Sequence, residues 1–353
     1  MRWLLLSAFF LTAVMGVSGQ TATGTTQSLP DDPQKLLAAA APFYDFNSPE
    51  LKPWHLKATY QLYDDKGKAT EQGTYEYWWA SPQVYRSTWT RAGASRSIWH
   101  TADGKIAATQ AGERLTYFER ELPNTLFSPL PQKGEMDPAK VDLERRTMKL
   151  GRVKLPCVML VPKPVDANAT GRARTGPWAT YCFDQQTSAV LLTFQFGQLA
   201  TKIDRLEKVQ NRLLPMSVQI VDGKRKLFSV SVEGVNEANP SDLALTPAKE
   251  AQIVSAEKKM LDGIVMQGSL IGIRFPIYPP IAKARDEEGT VILAGTIGID
   301  GKVHNLEVVT SPWPLLTTAA LDAVSQWRYK PYVEDGNPVE VETTMAVIFT
   351  LGR

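Results

Sequence analysis

Three times between Trp54 and Gly234 the chain sets two runs of aromatic and β-branched residues on either side of a glycine turn. The stretches are "LKATYQLYDDKGKATEQGTYEYWW" around Lys66-Gly67, "RSIWHTADGKIAAT" around Asp103-Gly104 and "MSVQIVDGKRKLFSVSVEG" around Asp222-Gly223. Asp-Gly between two such runs is a strong hairpin signal, because a tight two-residue turn asks both of its residues to reach positive φ. Several hairpins in series predict one antiparallel sheet, curved or closed part-way into a half-barrel. Tyr75, Tyr77, Trp79, Tyr85 and Trp89 alternate along it, and such a row either packs a core or encloses an apolar ligand.

With 353 residues the chain exceeds one typical domain, so two are expected, each able to bury a core. Lys and Arg number 39 against 37 Asp and Glu, with both signs scattered, so nothing marks a surface that tracks phosphates. Nucleic acid is not an expected partner. At the start, Arg2, the apolar run Trp3 to Val17 and the small residues Val17, Ser18 and Gly19 have the form of a secretory signal peptide over 1–19, which predicts a periplasmic chain. The alternative is an uncleaved segment that anchors the chain in the inner membrane. Residues 20–33 read as a flexible lead. "DPQKLLAAAAPFY" then reads as a short helix, with Asp32 and Pro33 at its start.

The chain has two cysteines, Cys157 and Cys182, on the strand-like runs "CVMLVP" and "ATYCF". In an exported chain such a pair is read as one disulfide rather than a redox or metal pair. His55, His100 and His304 stand apart from one another and from the cysteines, so no metal site and no cofactor is expected. The catalytic signatures G-x-S-x-G and H-E-x-x-H and a phosphate-cradling glycine loop are absent from the sequence, and the expectation is a protein that is not an enzyme.

Past the β-rich N-terminal domain, 34–240, "SDLALTPAKEAQIVSAEKKMLDGI" predicts a helical linker over 241–267, with Thr246 as N-cap, Pro247 in the first turn and Gly263 at its end. The next elements come in a different order. "YPPIAKARDEEG" gives a short helix, and "TVILAGTIGIDGKVHNLEVVTS" a hairpin about Asp300-Gly301. "PLLTTAALDAVSQWRYKPY" gives a helix with the apolar stripe Leu316, Ala320, Val324 and Trp327, stopped by Pro331. "NPVEVETTMAVIFTLGR" closes as a strand, with Val341, Met345, Val347, Phe349 and Leu351 on one face and Glu340, Glu342 and Thr344 on the other. The expected class is therefore α+β: a mostly antiparallel β domain followed by a small αββαβ module over 268–353.

That module resembles the C-terminal domain of the TonB energy-transducer family. The matching pieces are Tyr278-Pro279 with Ala282, Gly289 and Val291, then "IDGKV", Ser311 with "PLLTTAALDAVSQWRYKPY", and "GNPVEVETTMAVIFTL". Pro312 stands where the family commonly has Gly, and Thr317 where a carboxylate often caps the helix. The family's His-bearing membrane helix and long Pro-rich spacer are not found in this sequence, so the resemblance implies a binding module and leaves coupling to an inner-membrane motor open. The resemblance implies that the last strand lies at a sheet edge and pairs with an extended segment of an envelope protein such as an outer-membrane transporter. The residues it nominates for partner binding are Tyr278, Pro279, Val341, Glu342, Thr343, Thr344, Met345, Ala346 and Val347. The same edge could pair with a second copy to give a homodimer, and Glu340 and Glu342 could instead act as gatekeepers against random pairing. In texture the N-terminal region resembles half-barrel lipoprotein carriers of the LolA and LppX type, which implies a lipid-like ligand as the second reading. An envelope hydrolase is the third.

Overall fold

The structure is a computed structural model that describes residues 29–109, 112–163, 178–195, 199–242, 245–254, 259–261, 263, 266, 268–334 and 336–351. The expected signal peptide, 1–19, and most of the expected flexible lead lie outside the described residues. The described end of that lead is ordered: Leu29 packs against the core, and the Asp32 side chain caps helix α1, Pro33–Ala40, by accepting from the Lys35 N–H at 2.8 Å.

The N-terminal region is built on strands β1 Trp54–Tyr63, β2 Ala69–Ser81, β3 Val84–Arg91, β4 Ala94–His100, β5 Ile106–Ala108, β6 Val141–Leu150, β7 Val153–Pro162, β8 Thr180–Phe183, β9 Val190–Phe194, β10 Leu199–Val209, β11 Arg212–Asp222, β12 Arg225–Glu237 and β13 Gln252–Val254. Among the described residues they form one antiparallel sheet of 13 strands in the order β13-β5-β4-β3-β2-β1-β12-β11-β10-β9-β8-β7-β6. Laid flat, that many strands would span roughly 60 Å. One core cluster nevertheless joins Trp89 on β3 to Leu160 on β7, together with α1 and two short helices, α2 Tyr117–Arg120 and α3 Leu122–Phe127. The sheet must therefore curl around these helices. The aromatic row supplies the lining: Tyr75, Tyr77, Trp79 and Trp89 are buried in this core, with Tyr85 packed against it.

The hairpins fall where the glycine turns predict them, with a different local geometry. In the turns Asp64–Lys68 and Thr101–Lys105, the first N–H donates to the fifth carbonyl, and Gly67 and Gly104 sit at φ +77° and +75°. The β11–β12 turn has two residues, Gly223 and Lys224, between the paired Asp222 and Arg225, and Gly223 has φ +62°. In none of them does the aspartate take positive φ, so glycine alone carries the demand. Asp64 instead accepts from backbone N–H groups of its own turn.

The C-terminal module comprises β14 Lys259–Leu261, β15 Leu270–Gly272, α4 Pro280–Ala284, β16 Gly289–Ile297, β17 Val303–Thr310, α5 Pro314–Val324, the short strands β18 Arg328–Tyr329, β19 Tyr332–Glu334 and β20 Asn337–Val339, and β21 Val341–Phe349. Its main sheet runs β14-β21-β16-β17. On α5 the residues Leu316, Ala320, Ala323 and Val324 are buried; Trp327 lies past the helix and donates from Nε1 to the Arg274 carbonyl at 3.0 Å. Thr317 lies inside α5, where its hydroxyl bonds the Trp313 carbonyl, so it does not cap the helix.

The expected helical linker over 241–267 is corrected. Among its described residues, Ser241 and Asp242 end a 3-10 turn, Pro240–Asp242, and Gly263 and Met266 are helical, while Gln252–Val254 pairs with β5 and Lys259–Leu261 with β21. Two unpaired sheet edges offer these short runs ladder hydrogen bonds and apolar contact, and such tertiary pairing overrides a modest helix propensity. The N-terminal sheet thus extends to Val254, and the module's sheet begins at Lys259.

Candidate functional site

Strand β21 pairs with β16 along its whole length, from Val341 opposite Ile297 to Phe349 opposite Gly289. Its other side is only partly covered. There β14 lies parallel to it, with Lys259 opposite Val341, Met260 opposite Glu342 and Leu261 opposite Thr343. From Thr344 to Phe349 no strand among the described residues pairs on that side. Leu261 is buried and anchors β14, while Lys259 reaches Glu334 and lies over the Tyr332 ring. Beyond Leu261 the edge faces a groove of about 100 Å³ lined by Tyr117, Glu121, Gln195, Met260, Leu261 and Thr344.

The side chains of this strand are largely committed. Val341, Met345, Val347 and Phe349 are buried in the module core, and on the opposite face Glu342 and Thr344 are buried while Ile348 is exposed. Arg120, at the end of α2, donates from Nε to Glu342 Oε1 at 2.9 Å and Oε2 at 3.1 Å, and from Nη2 to Glu307 Oε2 at 2.9 Å. The Glu307 carboxylate also accepts the Tyr117 N–H at 2.6 Å. Burial alone would lower the Arg120 pKa, but the bonds and charges of Glu342 and Glu307 outweigh it and hold it above its ordinary value. Glu342 is therefore an interface anchor and not a gatekeeper: a carboxylate this buried needs a cation. Thr343 and Thr344 are buried and Ala346 is half-buried.

Tyr278 and Pro279 sit at the other end of the strand. The Tyr278 ring meets Phe349 edge-on at 5.4 Å, its hydroxyl donates to the Glu287 carbonyl at 2.7 Å, and Pro279 is the residue before α4. The nominated residues thus surround one strand, but they offer a partner backbone more than side chains.

Sequence reasoning missed the support beneath Arg120. Glu119 is fully buried and accepts from the Tyr60 hydroxyl at 2.6 Å and the Thr116 N–H at 2.8 Å, with Arg91 Nε at 3.1 Å. Burial first, then Glu119, pushes the Tyr60 hydroxyl far above its usual range. The signal was present: Thr116-x-x-Glu119 is a capping box, and the structure forms it.

Cys157 and Cys182 face each other on β7 and β8 and are joined by a disulfide. They pack with Leu155, Leu192, Ala200 and Val221 on the side of the sheet away from Val158 and the main core. His55 lies 3.0 Å from Glu76, His100 stacks on Tyr85 and His304 lies 3.2 Å from Asp300. Among the described residues no group of three or more His, Cys, Asp or Glu side chains is placed to hold a metal. No described helix is long and apolar enough to cross a membrane. Inside the curled sheet a cavity of about 440 Å³ is lined by Trp54, Tyr77, Tyr85, Phe127 and His100, and β14 closes one wall through Lys259 and Met260.

Residues 275–351 match the model of the family described as Gram-negative bacterial TonB protein C-terminal. Protein TonB of Pseudomonas aeruginosa is 32% identical over 79 residues, which is 22% of this chain and 23% of that protein. Protein TonB of Vibrio cholerae is 26% identical over 113 residues, 32% of this chain and 45% of that protein. The chain thus spans well under two thirds of either relative. A LolA superfamily protein from Nitrosomonas europaea aligns over 61% of this chain and 97% of its own, at 8% identity and a TM-score of 0.37.

Proposed function

We propose that this chain is an exported envelope protein whose C-terminal module, a TonB-like αββαβ unit carrying extra short strands, docks onto a partner protein by strand addition along β21. The observation that carries the proposal is the parallel pairing of Lys259–Leu261 with Val341–Thr343, beside an edge left without a strand from Thr344 onward. The chain itself thus lays an extended segment on this edge. The match of residues 275–351 to the TonB C-terminal family supports the same reading. Main-chain hydrogen bonds supply the affinity in such a complex. The partner suggested by the family is the periplasmic segment of an outer-membrane transporter, and the chain would act from the periplasm. The proposed role is binding, with no catalysis by the chain itself.

The burial of Glu342, Thr343 and Thr344 limits how a partner can be read. Specificity would come from the groove beside Tyr117, Glu121 and Gln195 and from the exposed Ile348, rather than from the alternate side chains of the strand. A second copy could pair along the same edge, which a concentration series in analytical ultracentrifugation separates from peptide binding.

A second reading rests on the cavity of about 440 Å³ inside the sheet, whose aromatic rings share the lining with Asp45, Arg120 and Lys259 and which has room for an amphiphilic ligand. In that reading the N-terminal region carries a lipid-like molecule and the module addresses it to a receptor. Native mass spectrometry of protein taken from envelopes tests it: a bound lipid supports the carrier, and its absence from every preparation counts against it. Strand addition is tested by proline at Thr344, which removes one main-chain donor. Binding lost with the fold retained supports an outward donor at the docking edge; binding unchanged in a folded variant contradicts the proposal.

A further inference from the structure

Between Leu270 and Ile281 the chain carries its most exposed apolar row. Ile271 is 63% exposed, Ile273 51%, Phe275 76% and Ile277 72%, and Ile281 on α4 adds 56%. No other stretch of the described residues exposes more than two large apolar side chains so close in sequence. The period of two is that of an extended ribbon. Leu270 and Tyr278 turn inward against the core, while the odd positions turn away from it. Ile271 to Ile277 then forms a stripe roughly 20 Å long.

Cations frame the stripe. Arg274 and Lys283 are exposed within or just beyond it, and from Gly263 to Lys283 the sequence has no carboxylate; the acidic run Asp286-Glu287-Glu288 follows α4, where Glu287 pairs with Arg285 at 3.7 Å. Arg328, also exposed, lies opposite Gly272 in the β15–β18 pair, and the Lys330 N–H donates to the Ser269 carbonyl, which brings two more cations alongside.

We propose that this stripe is a docking face for an anionic lipid surface, with the Ile and Phe side chains in the boundary between headgroups and acyl chains and the Arg and Lys side chains on the phosphates. Aliphatic and aromatic residues ringed by cations are what such a surface selects. A second copy fits less well, because a two-fold contact across the stripe would bring the same cations together. A partner strand fits less well again, since Pro276, Pro279 and Pro280 lack the donors that a ladder needs. The stripe adjoins the end of β21 through Tyr278, whose ring meets Phe349; insertion into lipid is read with no peptide present, so its outcome does not depend on strand addition.

The test is nitroxide labelling of the full chain at Ile277→Cys, with Ile253→Cys on β13 as an exposed control. Collisional accessibility is read on vesicles of phosphatidylethanolamine with phosphatidylglycerol and on phosphatidylcholine vesicles. On the anionic vesicles the label at position 277 should become accessible to oxygen and shielded from a water-soluble relaxant, at a depth of roughly 5–10 Å. The label at position 253 should stay in water. Adding Ile273→Ser and Phe275→Ser should lower the inserted fraction at position 277 by at least about tenfold in a chain that melts as the parent does. Reversing Arg274 and Lys283 to Glu should remove the preference for anionic vesicles. A label at position 277 that remains aqueous on both vesicles, inserts equally into both, or couples to a second label in the absence of lipid overturns the proposal.

Discussion

Gly73 stands opposite Tyr60 in the β1–β2 pair, and a Cβ there would lie 2.3 Å from the Tyr60 ring and hydroxyl and 2.8 Å from the Thr90 carbonyl. Tyr60 needs that space to reach Glu119. Gly73→Ala should cost roughly 2–3 kcal/mol by pushing the ring aside and loosening the Glu119 bond, which thermal denaturation can read. A destabilisation below about 0.5 kcal/mol, the size of an ordinary surface change, would show that the ring relaxes without loss. Arg120→Ala should cost about 3 kcal/mol, because it strands the buried Glu342 carboxylate, and it should speed amide exchange along β21. An unchanged melting temperature would remove Arg120 from the account. These buried charges were the least legible part of the sequence. Glu342 alternates with Val341 as a solvent-facing residue would, and only the tertiary arrangement brings a guanidinium from residue 120 over it.

Among the elements, the strand-rich antiparallel hairpins of the N-terminal region could be read because their signals are local: a glycine turn and a period of 2. The linker could not, because Gln252–Val254 and Lys259–Leu261 become strands only by finding edges far away in sequence, at β5 and β21. Two predictions belong at this scale. Replacing Lys259, Met260 and Leu261 by glycine should uncover Val341–Thr343, speed exchange of their amides and tighten the binding of an extended peptide measured by calorimetry; weaker binding would mean that β14 builds the site instead of covering it. Replacing both Cys157 and Cys182 by Ser should cost about 3 kcal/mol on the chain-entropy estimate for the loop they close, as read by urea unfolding. The bond joins strands already adjacent in the sheet, so its loss should leave the strand order intact.

Over the whole molecule, one core cluster runs from α1 through the curled sheet into the module, and Arg120 and the bonds linking Asp222, Thr310 and Arg225 tie the two regions together. The two should therefore unfold together, and a fragment of residues 268–353 would leave β14 and Arg120 behind. Burial also sets an alkaline limit. It pushes the Tyr44 hydroxyl up to about 12 and holds Tyr60 and Tyr329 higher than usual. A raised phenol pKa stabilises the fold fully below about pH 10, and that contribution is lost as pH rises through the folded value. Urea midpoints should hold level to about pH 10 and then fall, and Tyr44→Phe should lessen the fall; a decline beginning near neutral pH would assign it to other groups. The central claim is that β21 is a docking edge. Its most direct test is an NMR titration of the full chain with extended peptides from the periplasmic segments of outer-membrane transporters. Amide shifts concentrated on residues 341–349, with loss of the pairing to Lys259–Leu261, are the predicted result. Shifts confined to the turn at Asp300 and Gly301, or none at 341–349 with any peptide, would contradict it.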